Sequence, residues 1–387
     1  MKIIIRNCNV AELDIPLKYA TKLYNEFAIR HPNAFYLRTR QRGMQNWDGK
    51  IKYITKTGQF KIGLLPSVYK RCIELGIKPI IVDMRQPLPK VSKVVTQIGK
   101  YKLRPEQEKA VKAILSNKLG ETPFQIGVLD YTVNAGKTLI MSALYLSYKK
   151  QLKTLLITND SDWLNQARDE FKQYLPGEDI TFVQGKVLNW NNFTIGMVQS
   201  ISRNMKYYQN ELAKIDMVLI DEADQGGSKQ YQNVITRLFN TRVRIGLSGT
   251  IYMSKLAKDK VKNMNLRCFF GDVIAEFKLK DSIKKGYSTK TIVKTVEGKP
   301  WFGNWESDCM SYNEIYDDSI THNKIAWTMA LDRLKWNLNQ GRYPALVVCK
   351  HIAHCENLCK FFKKKLDNKY NIACVHVNTH TKLRQQI

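Results

Sequence analysis

Five consecutive residues, Asn134-Ala135-Gly136-Lys137-Thr138, are of the types that hold a polyphosphate. They follow the apolar stretch Ile126–Leu129 and precede the apolar helical run Leu139–Leu146. A strand, a tight turn and a helix in that order aim backbone N–H groups at a phosphate lying at the start of the helix. Lys137 then reaches the β- and γ-phosphates of ATP, and the Thr138 hydroxyl holds Mg²⁺. The mostly apolar segment Ile215–Ile220 runs into Asp221-Glu222-Ala223-Asp224, and Asp221 lies 84 positions beyond Lys137. A carboxylate at the end of a buried strand is where an ATPase holds its metal, here Asp221, and Glu222 beside it polarises an attacking water. Alone, either motif is an ordinary turn. Together, in this order, they predict ATP binding.

The elements that must position these residues follow from the apolar pattern. Thr154–Thr158, Thr194–Val198, Met217–Ile220 and Val243–Leu247 read as buried strands, with helical stretches such as Trp163–Tyr174 between them. Alternation of that kind predicts an α/β fold, a parallel sheet flanked by helices. A second such pattern begins near Phe277, with Ala345–Cys349 as a strand and Glu297–Ser307 as a loop, so a partial second lobe of the same kind is expected. Two prolines in Gln86-Pro87-Leu88-Pro89-Lys90 mark a linker. The expected division is a small α+β domain at 1–90, a motor lobe at 91–275 and a partial second lobe at 276–387.

Charge points to the partner. The chain has 62 Lys and Arg against 34 Asp and Glu, a net charge of +28, and such a field attracts polyanions, nucleic acid above all. The first hundred residues hold 19 of the cations and 6 of the acids, which marks the N-terminal domain as a binding module for DNA. Arg38, Arg40 and Arg42 alternate with Leu37, Thr39 and Gln41, so on a strand all three guanidinium groups share one face and form a phosphate track. The 8 cysteines form no regular framework and read as reduced thiols. No stretch is long and apolar enough for a membrane, and a cytoplasmic protein is expected. Cys349, His351, His354, Cys355 and Cys359 fall within eleven positions, but they lack the paired couplets of a zinc site and are not expected to bind metal.

Two further segments narrow the reading. Leu103-Arg104-Pro105-Glu106-Gln107 opens an amphipathic helix upstream of the phosphate loop, where Arg104 and Gln107 can read the adenine edge. Leu247-Ser248-Gly249-Thr250 follows a strand, and its hydroxyls, Ser248 and Thr250, suit coupling between the phosphate site and a nucleic-acid groove. The four motifs in this order resemble those of the superfamily 2 helicases. The DEAD-box RNA helicases fit less well, because Asn159-Asp160-Ser161-Asp162-Trp163 stands where they have Pro-Thr-Arg-Glu-Leu, and Ser-Gly-Thr stands for Ser-Ala-Thr. The phage UvsW helicases, DNA branch-migration motors, are the nearer resemblance. It rests on Asn46-Trp47-Asp48-Gly49-Lys50-Ile51, Gly63-Leu64-Leu65-Pro66, Asn323-Lys324-Ile325-Ala326 and Lys350-His351-Ile352-Ala353-His354. It implies a double-stranded-DNA-binding module at the N-terminus and DNA-strand contacts from Gln166, Gln199 and Ser200. Tyr131, Asn134 and Asn159 depart from the family's usual residues.

The resemblance also implies a second lobe that supplies arginines to the transferred phosphoryl group. No segment after Gly341 carries the Gln-x-x-Gly-Arg-x-x-Arg pattern. A separate polypeptide completing that lobe is therefore one expectation, with ATP bound but turned over only in traces. The leading expectation is an ATP-dependent DNA helicase or translocase acting on branched DNA in replication, recombination or repair. An ATP- and DNA-binding protein without turnover, and the motor subunit of a restriction-type nuclease, are the alternatives.

Overall fold

The computed structural model describes residues 1–40, 43–91, 93–184, 190–252, 257–290, 293, 311–342, 344–367 and 369–379. They form two compact units, Met1–Lys290 and Thr291–Ile387.

The first unit begins with a four-stranded sheet in the order β5-β2-β1-β6, built from β1 (Lys2–Ile5), β2 (Val10–Asp14), β5 (Gln59–Lys61) and β6 (Ile80–Asp83). Between β2 and β5 lie α1 (Leu17–Glu26) and an antiparallel ribbon of β3 (Ala28–Arg30) and β4 (Lys50–Lys52), with α2 (Ala34–Arg40) between its strands. Helix α3 (Leu65–Glu74) follows β5. Two short ribbons, β7 (Gln97–Ile98) with β8 (Tyr101–Lys102) and β9 (Lys118–Leu119) with β10 (Thr122–Pro123), flank α4 (Pro105–Leu115).

The motor lobe is a seven-stranded parallel sheet in the order β13-β14-β12-β15-β16-β11-β17. Its strands are β11 (Ile126–Tyr131), β12 (Thr154–Thr158), β13 (Ile180–Val183), β14 (Phe193–Met197), β15 (Met217–Asp221), β16 (Val243–Ser248) and β17 (Val273–Phe277). Every residue of β11, β12, β15 and β16 is buried, as a sheet covered on both faces requires. Alternate residues serve the two layers. Leu129, Leu156, Leu219 and Leu247 pack with α4, α5 (Lys137–Ser147) and α6 (Ser161–Tyr174). Val128, Ile157, Val218 and Ile220 pack with α7 (Val198–Arg203), α8 (Met205–Ala213), α9 (Lys229–Ile235) and α10 (Ala257–Phe270), and this second core is continuous with Ile3, Ile5 and Phe60 of the N-terminal sheet. Gly127 sits where β17 presses closest: a Cβ there would lie 2.3 Å from the Ile274 side chain.

One buried cation ties the two sheets together. Arg244 on β16 is 1% exposed and donates to the carbonyls of Phe269 (3.2 Å) and Cys8 (2.8 Å) and to Asn9 Oδ1 (2.8 Å). Burial pulls its guanidinium down to about 10. Asn9 in turn donates to the Thr236 carbonyl (3.1 Å). The segment Gln86–Lys90 is therefore not a free linker between independent bodies, and the Gln86 carbonyl is itself held by Arg242.

Three other expectations are corrected. Ala34–Arg40 is a helix, not a strand, and Thr39 Oγ1 bonds back to the carbonyls of Phe35 (3.1 Å) and Tyr36 (3.0 Å). At 3.6 residues per turn, Arg38 and Arg40 project about 200° apart rather than along one face, and Arg42 lies outside the described residues. The boundary at 275 falls inside β17, which completes the motor sheet and is followed by α11 (Leu279–Lys284). In the second unit, Ala345–Cys349 is not a strand and joins no sheet among the described residues, and Leu346 and Val348 stand 89% and 82% exposed. A strand needs a neighbour to satisfy its backbone. Among its described residues that unit has the helices α12 (Tyr312–Tyr316), α13 (Lys324–Asn339) and α14 (Ile352–Lys365) and a π-helical turn at Asp317–Thr321, with Leu331, Leu358, Phe362 and Leu366 buried together. The loop expected at Glu297–Ser307 lies outside the described residues.

Replacing Arg244 by Leu leaves three buried acceptors without their donor. The variant is expected to lose about 3 kcal/mol of unfolding free energy, seen as a lower urea midpoint at an unchanged slope. An unchanged midpoint would show that the joint carries no stability.

Candidate nucleotide site

Three adjacent parallel strands, β11, β16 and β15, end at one edge of the sheet and deliver three of the motifs there. After β11 the chain turns through Asn134 (φ 61°) and Gly136 (φ 72°) into α5. The left-handed φ at Gly136 suits glycine, and a Cβ there would meet Gln107 Nε2 at 2.3 Å. Lys137, the first residue of α5, places Nζ 3.4 Å from both Asp221 Oδ1 and Glu222 Oε1. Asp221 is buried at the end of β15, whereas Glu222 is lifted toward the surface by a left-handed backbone (φ 50°) that non-glycine residues seldom adopt. Ser248 Oγ at the end of β16 donates to Asp224 Oδ1 (3.1 Å) and receives the Thr250 N–H (3.2 Å).

The upstream segment is engaged differently from the sequence expectation. Gln107 is 2% exposed; its Nε2 donates to the Ala135 carbonyl (2.9 Å) and its Oε1 accepts from the Arg104 N–H (2.8 Å). Both ends of the amide are thus spent on backbone, and Gln107 braces the loop instead of standing free for an adenine edge. Arg104 donates to the Asn134 carbonyl (3.1 Å) and lies 4.3 Å from the centre of the Tyr287 ring. Tyr131, the departure at the start of the loop, is a core residue whose hydroxyl donates to the Glu106 carbonyl (2.8 Å).

Beside the acidic residues lies a cavity of about 440 Å³, lined among others by Asn159, Trp163, Met197, Glu222 and Gln225. Asn159 Nδ2 donates to Gln225 Oε1 (2.6 Å), and the Asn159 carbonyl accepts from Gln199 Nε2 (3.1 Å). Gln199 and Ser200 on α7 therefore stand near the acidic motif. Gln166 does not join them: it is exposed on α6 and bonded to Glu170 (2.9 Å). Sequence reasoning missed Tyr231, a buried phenol raised above its ordinary range by burial and by Asp221, Asp224 and Glu222. No local pattern announces it, because α9 reaches the site only through the fold.

Among the described residues no group of three or more His, Cys, Asp or Glu side chains is arranged to hold a metal. In the second unit His351 stacks on Tyr316 and pairs with Asp317 (3.0 Å), and Cys355 lies 3.2 Å from Cys374. No helix among the described residues is long and apolar enough to cross a membrane.

A RecA-like sheet with this motif order at its edge resembles the motor lobe of the superfamily 2 helicases, which are ATP-dependent enzymes. Residues 100–253 match the family model described as Type III restriction enzyme, res subunit. The ATP-dependent DNA helicase uvsW of Enterobacteria phage T4 is 23% identical over 366 residues, 87% of this chain and 68% of that protein. A crystal structure of the bacteriophage T4 UvsW helicase superposes with a TM-score of 0.56 at 20% identity, covering 71% of this chain and 100% of that one. A second T4 UvsW crystal structure gives 0.55 at 20% identity, over 100% of this chain and 77% of that one. The chain is thus similar to UvsW over most of its length.

Since Gln107 braces the loop, Gln107→Ala is expected to weaken ATP and GTP binding alike, by about tenfold each, in a fluorescent-nucleotide titration. Loss of ATP affinity alone would return the amide to a base-reading role.

Proposed function

We propose that this protein is an ATP-driven DNA motor that remodels branched duplexes, with residues 1–90 gripping DNA, the motor lobe after them holding the nucleotide, and the chain beyond Lys290 belonging to a second RecA-like lobe. The observation that carries the reading is the meeting of Lys137, Asp221 and Glu222 at one sheet edge, with Ser248 bonded to Asp224 one residue pair away. The similarity to a phage DNA helicase supports DNA as the track. The exposed apolar stretch 345–349 leaves an edge on which further strands, of this chain or of a separate polypeptide, would pair.

In this reading the ammonium of Lys137 leaves the two carboxylates to meet the β- and γ-phosphates, while backbone N–H groups from Asn134 to Thr138 cradle them. Asp221 fits a magnesium ligand: Oδ1 is buried and accepts no hydrogen bond among the described residues. Asp221 and the Thr138 hydroxyl would hold Mg²⁺, which neutralises phosphate charge when bound. Glu222, more exposed and free to turn once Lys137 departs, orients the attacking water and takes its proton. Arg104 steadies the loop from the base side. Ser248 and Thr250 carry the state of the phosphate site through Asp224, and Gln199, Ser200 and Gln166 belong to the strand-binding face. The res-subunit match favours a second reading, the motor of a restriction-type nuclease, but it covers the lobe that both readings share.

The test is ATP hydrolysis by the full chain with and without branched DNA. Lys137→Ala is expected to lose nucleotide binding and turnover together, the latter by on the order of 10²-fold or more. Glu222→Gln should bind ATP as the parent does and lose turnover. Ser248→Ala with Thr250→Ala should keep hydrolysis while losing strand displacement. Parent-like hydrolysis in both single variants would remove the site from this edge, and a parent with no DNA-stimulated turnover would favour a binding protein instead.

A further inference from the structure

The ribbon of β3 and β4 carries an arrangement that a free protein does not favour. Its register pairs Arg30 directly with Lys50 and Ala28 with Lys52, while Ile29 and Ile51 share the opposite face. Arg30 and Lys50 are exposed, and like charges directly opposed across strands repel. Neither forms an ion pair among the described residues. Asp48 pairs with Lys52 (3.2 Å), and its Oδ1 accepts the Lys50 backbone N–H (2.9 Å). From Phe27 to Trp47 the chain has no acid at all.

Four residues beyond Arg30, α2 begins, and it presents Phe35 80% exposed and Tyr36 54% exposed. The Arg40 guanidinium lies 4.9 Å from the Tyr36 ring centre. The helix is held fast against the ribbon. Ala34 is buried on Gly49, where an added Cβ would come within 3.0 Å; His31 donates its N–H to the Gly49 carbonyl (2.8 Å); and Trp47 sets its edge on His31 and donates Nε1 to the Lys50 carbonyl (3.0 Å). Trp47 is spent on this corner. Phe35 is not, and a rigid support under an exposed aromatic keeps the entropic cost of stacking low.

We infer that this corner reads the junction where a DNA duplex opens: Arg30 and Lys50 straddle backbone phosphates of the duplex, and Phe35, flanked by Tyr36, stacks on the first unpaired base. Phosphates relieve the repulsion between the paired cations, and any base offers a face for stacking, so the recognition is of structure and not of sequence. The inference rests on the DNA-motor reading and moves the phosphate track from the expected arginine row at 38–42 to the ribbon face.

The experiment is fluorescence anisotropy with the full chain, without nucleotide, on a blunt duplex and on a fork of the same duplex with unpaired arms, across a salt series. Arg30→Ala with Lys50→Ala is expected to lower the slope of log affinity against log salt by about 1.8 on both DNAs, roughly 0.9 for each cation. Phe35→Ala is expected to leave blunt-duplex affinity unchanged and to lower fork affinity by about tenfold, with Phe35→Trp restoring it. ATP affinity, measured in the same variants, should stay at the parent value, since both sites are surface positions away from the nucleotide. A parent that binds forks while both variants keep its slope and its fork preference would overturn the inference. A parent that binds neither DNA would overturn the DNA-motor reading itself.

Discussion

The ammonium of Lys137 stands 3.4 Å from two carboxylates that are 84 and 85 residues away in sequence, and the rest of the structure is arranged around that meeting. It is possible because β11, β16 and β15 are neighbours, run parallel and stop together. A parallel sheet buried on both faces is built mainly of apolar residues, so most of its polar groups gather where the strands end. Apolar runs such as Val128-Leu129 and Met217–Ile220 are what make the sheet form, and the same runs decide where Lys137, Asp221 and Ser248 come together.

A charged pair of this kind would collapse without a loop that keeps its shape. The loop from Thr132 to Gly136 has two left-handed residues, and its carbonyls at Asn134 and Ala135 are held by Arg104 and Gln107. Tyr131 anchors the strand end to α4 through the Glu106 carbonyl. The residues that depart from the family pattern therefore do not loosen the site. A buried tyrosine contributes at the position of a small residue by fixing α4, and α4 brings Gln107 to the loop.

Much of this was legible in the primary structure, and the division has a physical cause. The central strands were readable because complete burial leaves an apolar run with no alternation to confuse it. β13 and β17 were not, because an edge strand is half exposed and carries residues such as Thr181 and Glu276. The motif residues were readable by type and order, yet the engagement of Gln107 was not, since nothing local says that its amide will meet the Ala135 carbonyl. Ala34–Arg40 misled for a related reason: arginines alternating with Leu and Thr suit a strand as well as a helix, and a stretch of seven residues is too short for periodicity to decide.

The docking of the N-terminal sheet has a mechanical consequence for a motor. Arg244 lies near the start of β16, one of the strands that end at the phosphate site, and its guanidinium is bonded to Cys8 and Asn9 in the turn between β1 and β2. A buried cation satisfied only by carbonyls and an amide cannot slide, because each displacement would strand a charge away from water. The N-terminal sheet therefore travels with the motor lobe as one body. Any grip on DNA through Arg30 and Lys50 is then carried on the same rigid frame as Lys137 and Asp221. A stroke that moves the nucleotide-bound lobe moves that grip with it, which is what pulling on a duplex requires.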